Sequence, residues 1–301
     1  MLFRSNKYSV DLLAAINGSP TQGFGYTTLM TNNGKMVNRG VEITLSGEII
    51  RQKDFSWNAS LLYAFNRNKV KHISVQPSLW DSRISMPTSY PMVGKPLYGI
   101  YAYKWAGLNE NGDPQVYDAE NNVTSGPARD YHALVYCGTT VPIHNASLTN
   151  VLRYKGFEFS AMLILDAGHK LRSSNIPSIN MSNGRITSTA KGIVDRWTQP
   201  GDVTDVPRLL FSNDTENFNT HRTELYRYSD LFVYDASNIR LSNISLAYRV
   251  PAHWCKKISL SGARLQFNVE NVATFAFDSK ANYDLGGKVK PNYVWGLYLN
   301  F

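Results

Sequence analysis

Few side chains in this sequence stand at spacings that could do chemistry. His221-Arg222-Thr223-Glu224 sets one imidazole near one carboxylate, but no second histidine completes a zinc motif. No G-x-S-x-G elbow and no P-loop occurs, and the six histidines are dispersed. Asn109-Glu110-Asn111-Gly112-Asp113-Pro114 crowds acidic and amide oxygens as a calcium loop would. Asn-Gly and Asp-Pro are also turn chemistry, and a turn is the stronger expectation. Cys137 and Cys255 are far apart and match no metal spacing, so one disulfide and two unrelated thiols fit equally well. The sequence is therefore read as non-enzymatic, with no catalytic residue, no metal ligand and no cofactor.

Three aromatic residues remain as binding candidates. Trp80, Tyr90 and Trp197 lie outside the clear strands and could stack on sugar rings or pack a substrate. Equally ordinary work for such rings is to pin their own loops, or to sit in an interfacial belt where Trp and Tyr are favoured. For any single one of them the ordinary role is the stronger expectation.

The elements that must position these residues are strands. Charged residues are 18% of the chain and aromatic residues 12%, and soluble domains average roughly 25% charged. Few charges with many aromatics suit a sheet whose solvent is not entirely water, although a large soluble all-β protein shares that balance. The net charge is +8, yet Lys and Arg are scattered, which argues against nucleic acid as a partner. No apolar run approaches the ~18–20 residues of a membrane-spanning helix, and no signal peptide opens the sequence.

Period-two alternation dominates. In Val41–Ile49 the odd positions are apolar and the even ones polar, and Trp57–Asn66 repeats the pattern after a turn at Arg51–Asp54. A second hairpin runs through Ala146–Tyr154 and Gly156–Asp166, with Phe157, Phe159, Ala161, Leu163 and Leu165 on one face. A third group starts near Leu225 and runs to Val250, where Pro251 ends it. The apolar phase changes at Ser242-Asn243, which predicts a β-bulge there. Leu265–Asn271 and Asn292–Phe301 complete the set. The sequons at Asn58, Asn145 and Asn243 fall within or at these strands, which makes glycosylation unhelpful as a reading. About eight strands result, several near the 9–11 residues that cross a bilayer at a tilt. Short turns such as Arg51–Asp54 and Pro251–Lys257 contrast with the long polar stretch Lys170–Thr223. That contrast is the habit of outer-membrane barrels, with short periplasmic turns and long extracellular loops.

An ordered series of segments resembles the SusC/RagA-type TonB-linked outer-membrane transporters. It runs through Asn38–Glu42, Trp57–Val70, Gly94–Tyr101, Tyr103–Asn109 and Gly156–Ser160 with Gly168-His169-Lys170. It continues with Asp195–Thr198, Pro200-Gly201 and Val206–Arg208, then Tyr234–Leu241, then Asn268–Phe275. The resemblance implies an all-β fold, an antiparallel transmembrane β-barrel segment. Residues 1–301 would form the C-terminal part of a barrel of the 22-stranded, plugged kind, with plug domain, TonB box and signal peptide absent. It further implies TonB-dependent import of oligosaccharides or peptides across the bacterial outer membrane. A SusD-like surface lipoprotein would be the partner, and TonB would act through the missing N-terminal region. Glu42, Thr44, Asn58, Ser60 and Glu158 would line the lumen, while Trp57, Tyr63, Phe65 and Trp295 would face outer-membrane lipid. Residues 292–301 resemble the signal read by the barrel assembly machinery. The rival reading is a soluble all-β carbohydrate-binding protein, which would bury its apolar faces between sheets.

Overall fold

A computed structural model describes residues 2–17, 28–74, 82–126, 130–181, 190–211, 220–286 and 290–301. Eight strands form one antiparallel meander. They are β1 (Leu2–Asn17), β2 (Thr28–Arg51), β3 (Phe55–Ile73), β4 (His144–Tyr154), β5 (Phe157–Ala167), β6 (Asn238–Arg249), β7 (Gly262–Ala276) and β8 (Asn292–Asn300). Each pairs with the next in sequence, and β1 and β8 are the edges. The sheet does not close on itself among the described residues.

The joins explain the order. Lys155 and Gly156 both take positive φ (45° and 91°), the geometry of a two-residue hairpin turn whose twist matches the flanking strands. With residues 52–54 and 250–261 it forms the short-turn end of the sheet. The long connections 74–143, 168–237 and 277–291 leave from the opposite end.

Register sorts the side chains completely. Trp57 pairs with Leu152, Leu148 with Leu61 and Leu163, and Phe267 with Leu246 and Trp295. One continuous apolar face results, from Val41, Ile43 and Leu45 on β2 to Tyr293, Trp295 and Leu297 on β8. It is uncovered: Trp295 is 78% exposed, and Leu45, Phe157, Leu265 and Leu297 are exposed as well. A soluble sandwich would cover such a face with a second sheet, and none lies on it among the described residues. The bulge predicted at Ser242 is present. Leu241 pairs with Leu163 and Ala273, Asn243 with Met162 and Glu270, and the side-chain phase is restored beyond it. On the far side of β7, Gly262–Glu270 pairs with Asn292–Asn300.

Two differences from the sequence reading have physical causes. β1 shows no alternation in the sequence, because Arg4 and Asn6 on one face and Ser5 and Lys7 on the other make both faces polar. The group expected from Leu225 begins instead with a helix, Thr220–Arg227. Leu225 and Tyr226 are both buried in a core above the sheet, whereas β6 starts only at Asn238.

That core belongs to a cap built by the long connections. Gly99–Tyr103 pairs with Leu134–Thr139, Trp105–Leu108 with Pro114–Tyr117, and Lys170–Arg172 with Val233–Asp235. Tyr101, Tyr103, Val116, Leu134 and Leu225 pack together, with Ile179, Tyr226 and Phe232 in a second cluster.

Candidate functional site

The inward face of the sheet is polar, and Glu42, Thr44, Asn58, Ser60 and Glu158 all share it by register. Their neighbours are paired across strands. Ser46 and Ser60 share a 2.7 Å hydrogen bond. Near the short-turn end Glu158 accepts from Arg153 Nε at 2.7 Å and from Arg264 Nη2 at 3.1 Å. At the other end of β5, Asp166 accepts from Asn145 at 2.6 Å and lies 3.6 Å from Arg240. Cross-strand polar pairs of this kind hold register while leaving a wet surface. The sequon residues Asn58, Asn145 and Asn243 sit in β3, β4 and β6. On the apolar face the expected lipid-facing aromatics turn their polar atoms to same-face partners. Trp57 Nε1 donates to Asn150 at 3.1 Å, and Tyr63 Oη lies 2.8 Å from His144 Nδ1.

The cap is where the loop chemistry converges. Asn109 Oδ1 accepts from the amides of Asn111 and Asp113, closing a turn with Gly112 at φ +74°. The calcium-like oxygens are thus used internally. The Asp113 carboxylate accepts from Arg208 at 2.7 and 3.1 Å and from Arg222 at 3.2 Å. Arg222, whose side chain is 3% exposed, also donates to Ile179 O, Asn180 Oδ1 and Arg208 O. Burial lowers its pKa, and Asp113 opposes that. Among the described residues no His, Cys, Asp or Glu group could hold a metal ion.

Other ties join the same loops. Trp105 donates its amide to Asp230 and its indole nitrogen to Asp205, each at 2.9 Å. Arg172 donates to Tyr101 O at 2.7 Å and to Ser229 O at 3.2 Å. Asp284, from the third long connection, accepts from the hydroxyls of Ser173 and Ser174 at 2.7 and 2.6 Å.

Beside these ties a cavity of about 500 Å³ is lined by Tyr101, His169, Lys170, Leu171 and Arg172. Desolvation lowers the pKa of His169, outweighing Asp166 and Asp235, and its buried Nδ1 has no hydrogen-bond partner. Burial opposes ionisation of the nearby Asp235. The Ser237 hydroxyl and amide and the Lys170 ammonium outweigh it and hold the carboxyl at about 2. Cys137 is half-buried, its thiol pushed up to about 11 chiefly by desolvation. Cys255 is buried in the short helix Ala252–Lys256, and the two remain separate free thiols.

The aromatic candidates attach to different parts of the cap. Trp197 lies flat on Gly112, so close that a Cβ built there would fall 2.4 Å from its ring, and its amide donates to Val206 O. Tyr90 is buried, with its carbonyl accepting from Arg83 Nε at 3.3 Å. Trp80 lies outside the described residues. His221 and Glu224 meet at 3.1 Å on one turn of helix. Sequence reasoning missed the Asp113–Arg208–Arg222 cluster, whose partners are 95 and 109 residues apart and leave no local signal.

Comparison with known proteins fits this architecture. No family model matches the sequence. TonB-dependent receptor P3 of Formosa agariphila is 24% identical over 91% of the chain, and TonB-dependent receptor SusC of Bacteroides thetaiotaomicron is 22% identical over 83%. The RagAB peptide transporter superposes on 98% of the chain with a TM-score of 0.72 at 21% identity. The chain spans 28% of the P3 receptor, 24% of SusC and 32% of the matched transporter chain. The resemblance to SusC/RagA-type transporters read from the residues is therefore borne out. These relatives are receptors and transporters, and the chain is an outer-membrane barrel segment.

Proposed function

We propose that this chain is the C-terminal part of a TonB-dependent importer and supplies barrel wall together with part of its extracellular cap. The observation that carries this is the two-faced sheet: a continuous uncovered apolar face outside and hydrogen-bonded polar ladders inside. A wall of that kind separates lipid from a polar lumen, and loops packed above its long-connection end are positioned to receive a solute before it enters.

The substrate class is oligosaccharide or peptide, and the likeness to the RagAB peptide transporter supports the second. A SusD-like lipoprotein would sit on the cap, and TonB would supply energy through another part of the protein. Tyr90 and Trp197 brace the cap, and Trp80 is the remaining candidate for direct substrate contact. The outer edge of β8 is available for the barrel assembly machinery by strand addition.

The test is growth of a strain lacking the gene on panels of glycans and peptides. Loss of growth on one substrate class, restored by the intact gene, supports import. Undiminished growth on every substrate overturns it.

A further inference from the structure

On β1–β3 the lipid-facing phase does not end where the apolar residues end. On β3 it runs Tyr63, Phe65, Arg67, Lys69; on β2 Ile43, Val41, Arg39, Val37; on β1 Leu2, Arg4, Asn6. Register sets Arg39 directly opposite Arg67, Arg4 opposite Val41 and Lys69 opposite Val37. Like charges directly opposite one another destabilise a sheet. Among the described residues no ion pair relieves them: Arg4, Arg39, Arg67 and Lys69 are all exposed and take part in none of those found there. From β2 to β8 the outward positions fixed by register hold no Asp or Glu among the described residues.

Height explains why they stand there. From Phe55 to Phe65 the outward residues of β3 are apolar or aromatic, a run of roughly 33 Å at ~3.3 Å per residue. At a tilt of ~40° that is about 25 Å, the height of the apolar band of outer-membrane barrels. Arg67 and Lys69 follow at once on the long-loop side, at the level of lipid headgroups. There Val70 N donates to Lys95 O at 2.9 Å and Leu97 N to Asn68 Oδ1 at 2.8 Å. The passing segment bounds a cavity of about 410 Å³ whose lining includes Arg39, Phe65, Arg67, Lys69 and Pro96.

We propose that this ledge binds the phosphate groups of a lipid in the extracellular leaflet, its acyl chains lying on Val41, Ile43, Tyr63 and Phe65. Guanidinium groups recognise phosphate oxygens bidentately, and a phosphate between Arg39 and Arg67 relieves their repulsion while the apolar face below holds the tail.

The test uses the intact outer-membrane protein that carries this chain, in mild detergent. Binding of diphosphorylated lipid A is compared between wild type and an Arg39→Gln/Arg67→Gln/Lys69→Gln variant by native mass spectrometry. Loss of three cations at a lipid surface predicts roughly a hundredfold weaker binding, with Arg39→Lys/Arg67→Lys, which keeps the charge but not the bidentate fork, falling between the two. Dephosphorylated lipid should bind the wild type as weakly as lipid A binds the triple variant. If the triple variant does not fold, salt titration of the wild type decides: lipid A must be released as ionic strength rises. Equal lipid A binding by wild type and folded variant overturns the proposal. So does competition by millimolar inorganic phosphate, which would mark a free-anion site, and so does salt-independent binding.

Discussion

Trp295 and Tyr103 are aromatic residues in strands of one chain, yet one is 78% exposed and the other has no exposed surface. They mark two regions with different solvents. The wall is nearly coreless: eight strands joined by backbone ladders, with lipid taking the place of a hydrophobic interior. The cap is folded against water, with tyrosines packed at its centre and charged side chains tying distant loops. In lipid every backbone polar group must be satisfied within the sheet, so a wall residue need only be apolar on the correct face. In water a loop must bury enough surface to offset its conformational entropy, so a cap residue must fit particular neighbours. Substitutions should therefore act by position in the wall and by partner in the cap.

The largest effect falls in the cap. Asp113→Ala removes the acceptor shared by Arg208 and Arg222 and leaves a guanidinium whose side chain is 3% exposed without its carboxylate. Breaking a buried pair in this way costs about 3–5 kcal/mol. The expected outcome is protease cleavage within 168–237 of the intact protein, while the barrel keeps its heat-modifiable migration on gels. Loss of the barrel together with the cap would show that the two regions are one cooperative unit and would break the distinction.

Leu163→Arg tests the other side. Leu163 lies level with Leu61 and Leu148, near the middle of the apolar band, where an arginine costs about 2–4 kcal/mol. Ser60→Arg, one residue from that level but facing inward, should cost far less. Folding yield into lipid vesicles measures both. Equal losses would mean that the outward face does not meet lipid.

The same division decides what the sequence could reveal. Lipid imposes one rule on every outward residue, so β3 to β8 are legible as alternation, and even the Ser242 bulge shows as a phase change. Above the bilayer the rule lapses. β2 extends over Thr28–Arg51 although alternation marks only Val41–Ile49, and β1 carries polar residues on both faces. The cap is less legible still. Tyr103 meets Leu134 and Leu225 across long separations, and Asp113 finds its arginines 95 and 109 residues away. A long polar stretch is what such a region looks like when its core is contributed a residue or two at a time. Of the aromatic candidates, Trp197 stood out by type, but its partner could not: a glycine facing a ring leaves no mark in composition.

Gly112→Ala sharpens that contact. The added methyl would meet Trp197 Cδ2 at 2.4 Å, and φ is +74° there, a region that costs a non-glycine residue about 1–2 kcal/mol. Amide exchange should quicken over 109–113 and around Trp197 with β4 and β5 unchanged. Trp197→Ala in the same background should remove the steric part of the effect and leave the backbone part. No exchange difference in either variant would place the Trp197 ring elsewhere.

The smallest effect is set by pH and is confined to the cap. Asp235 accepts from Lys170 at 3.0 Å and from the Ser237 amide at 2.8 Å, and its carboxyl is held at about 2. An unfolded aspartate titrates near ~3.9. Because the folded value is the lower one, the stabilisation is fully present above about pH 4 and disappears as pH falls toward 2. The pair is partly exposed, so solvent screens it and the effect is modest. Proteolysis by an acid-active protease should thus rise over that interval at the paired strands Lys170–Arg172 and Val233–Asp235. Asp235→Asn should reduce the rise by removing the group that titrates. A rise of equal steepness in Asp235→Asn would assign the acid sensitivity of the cap to another carboxylate.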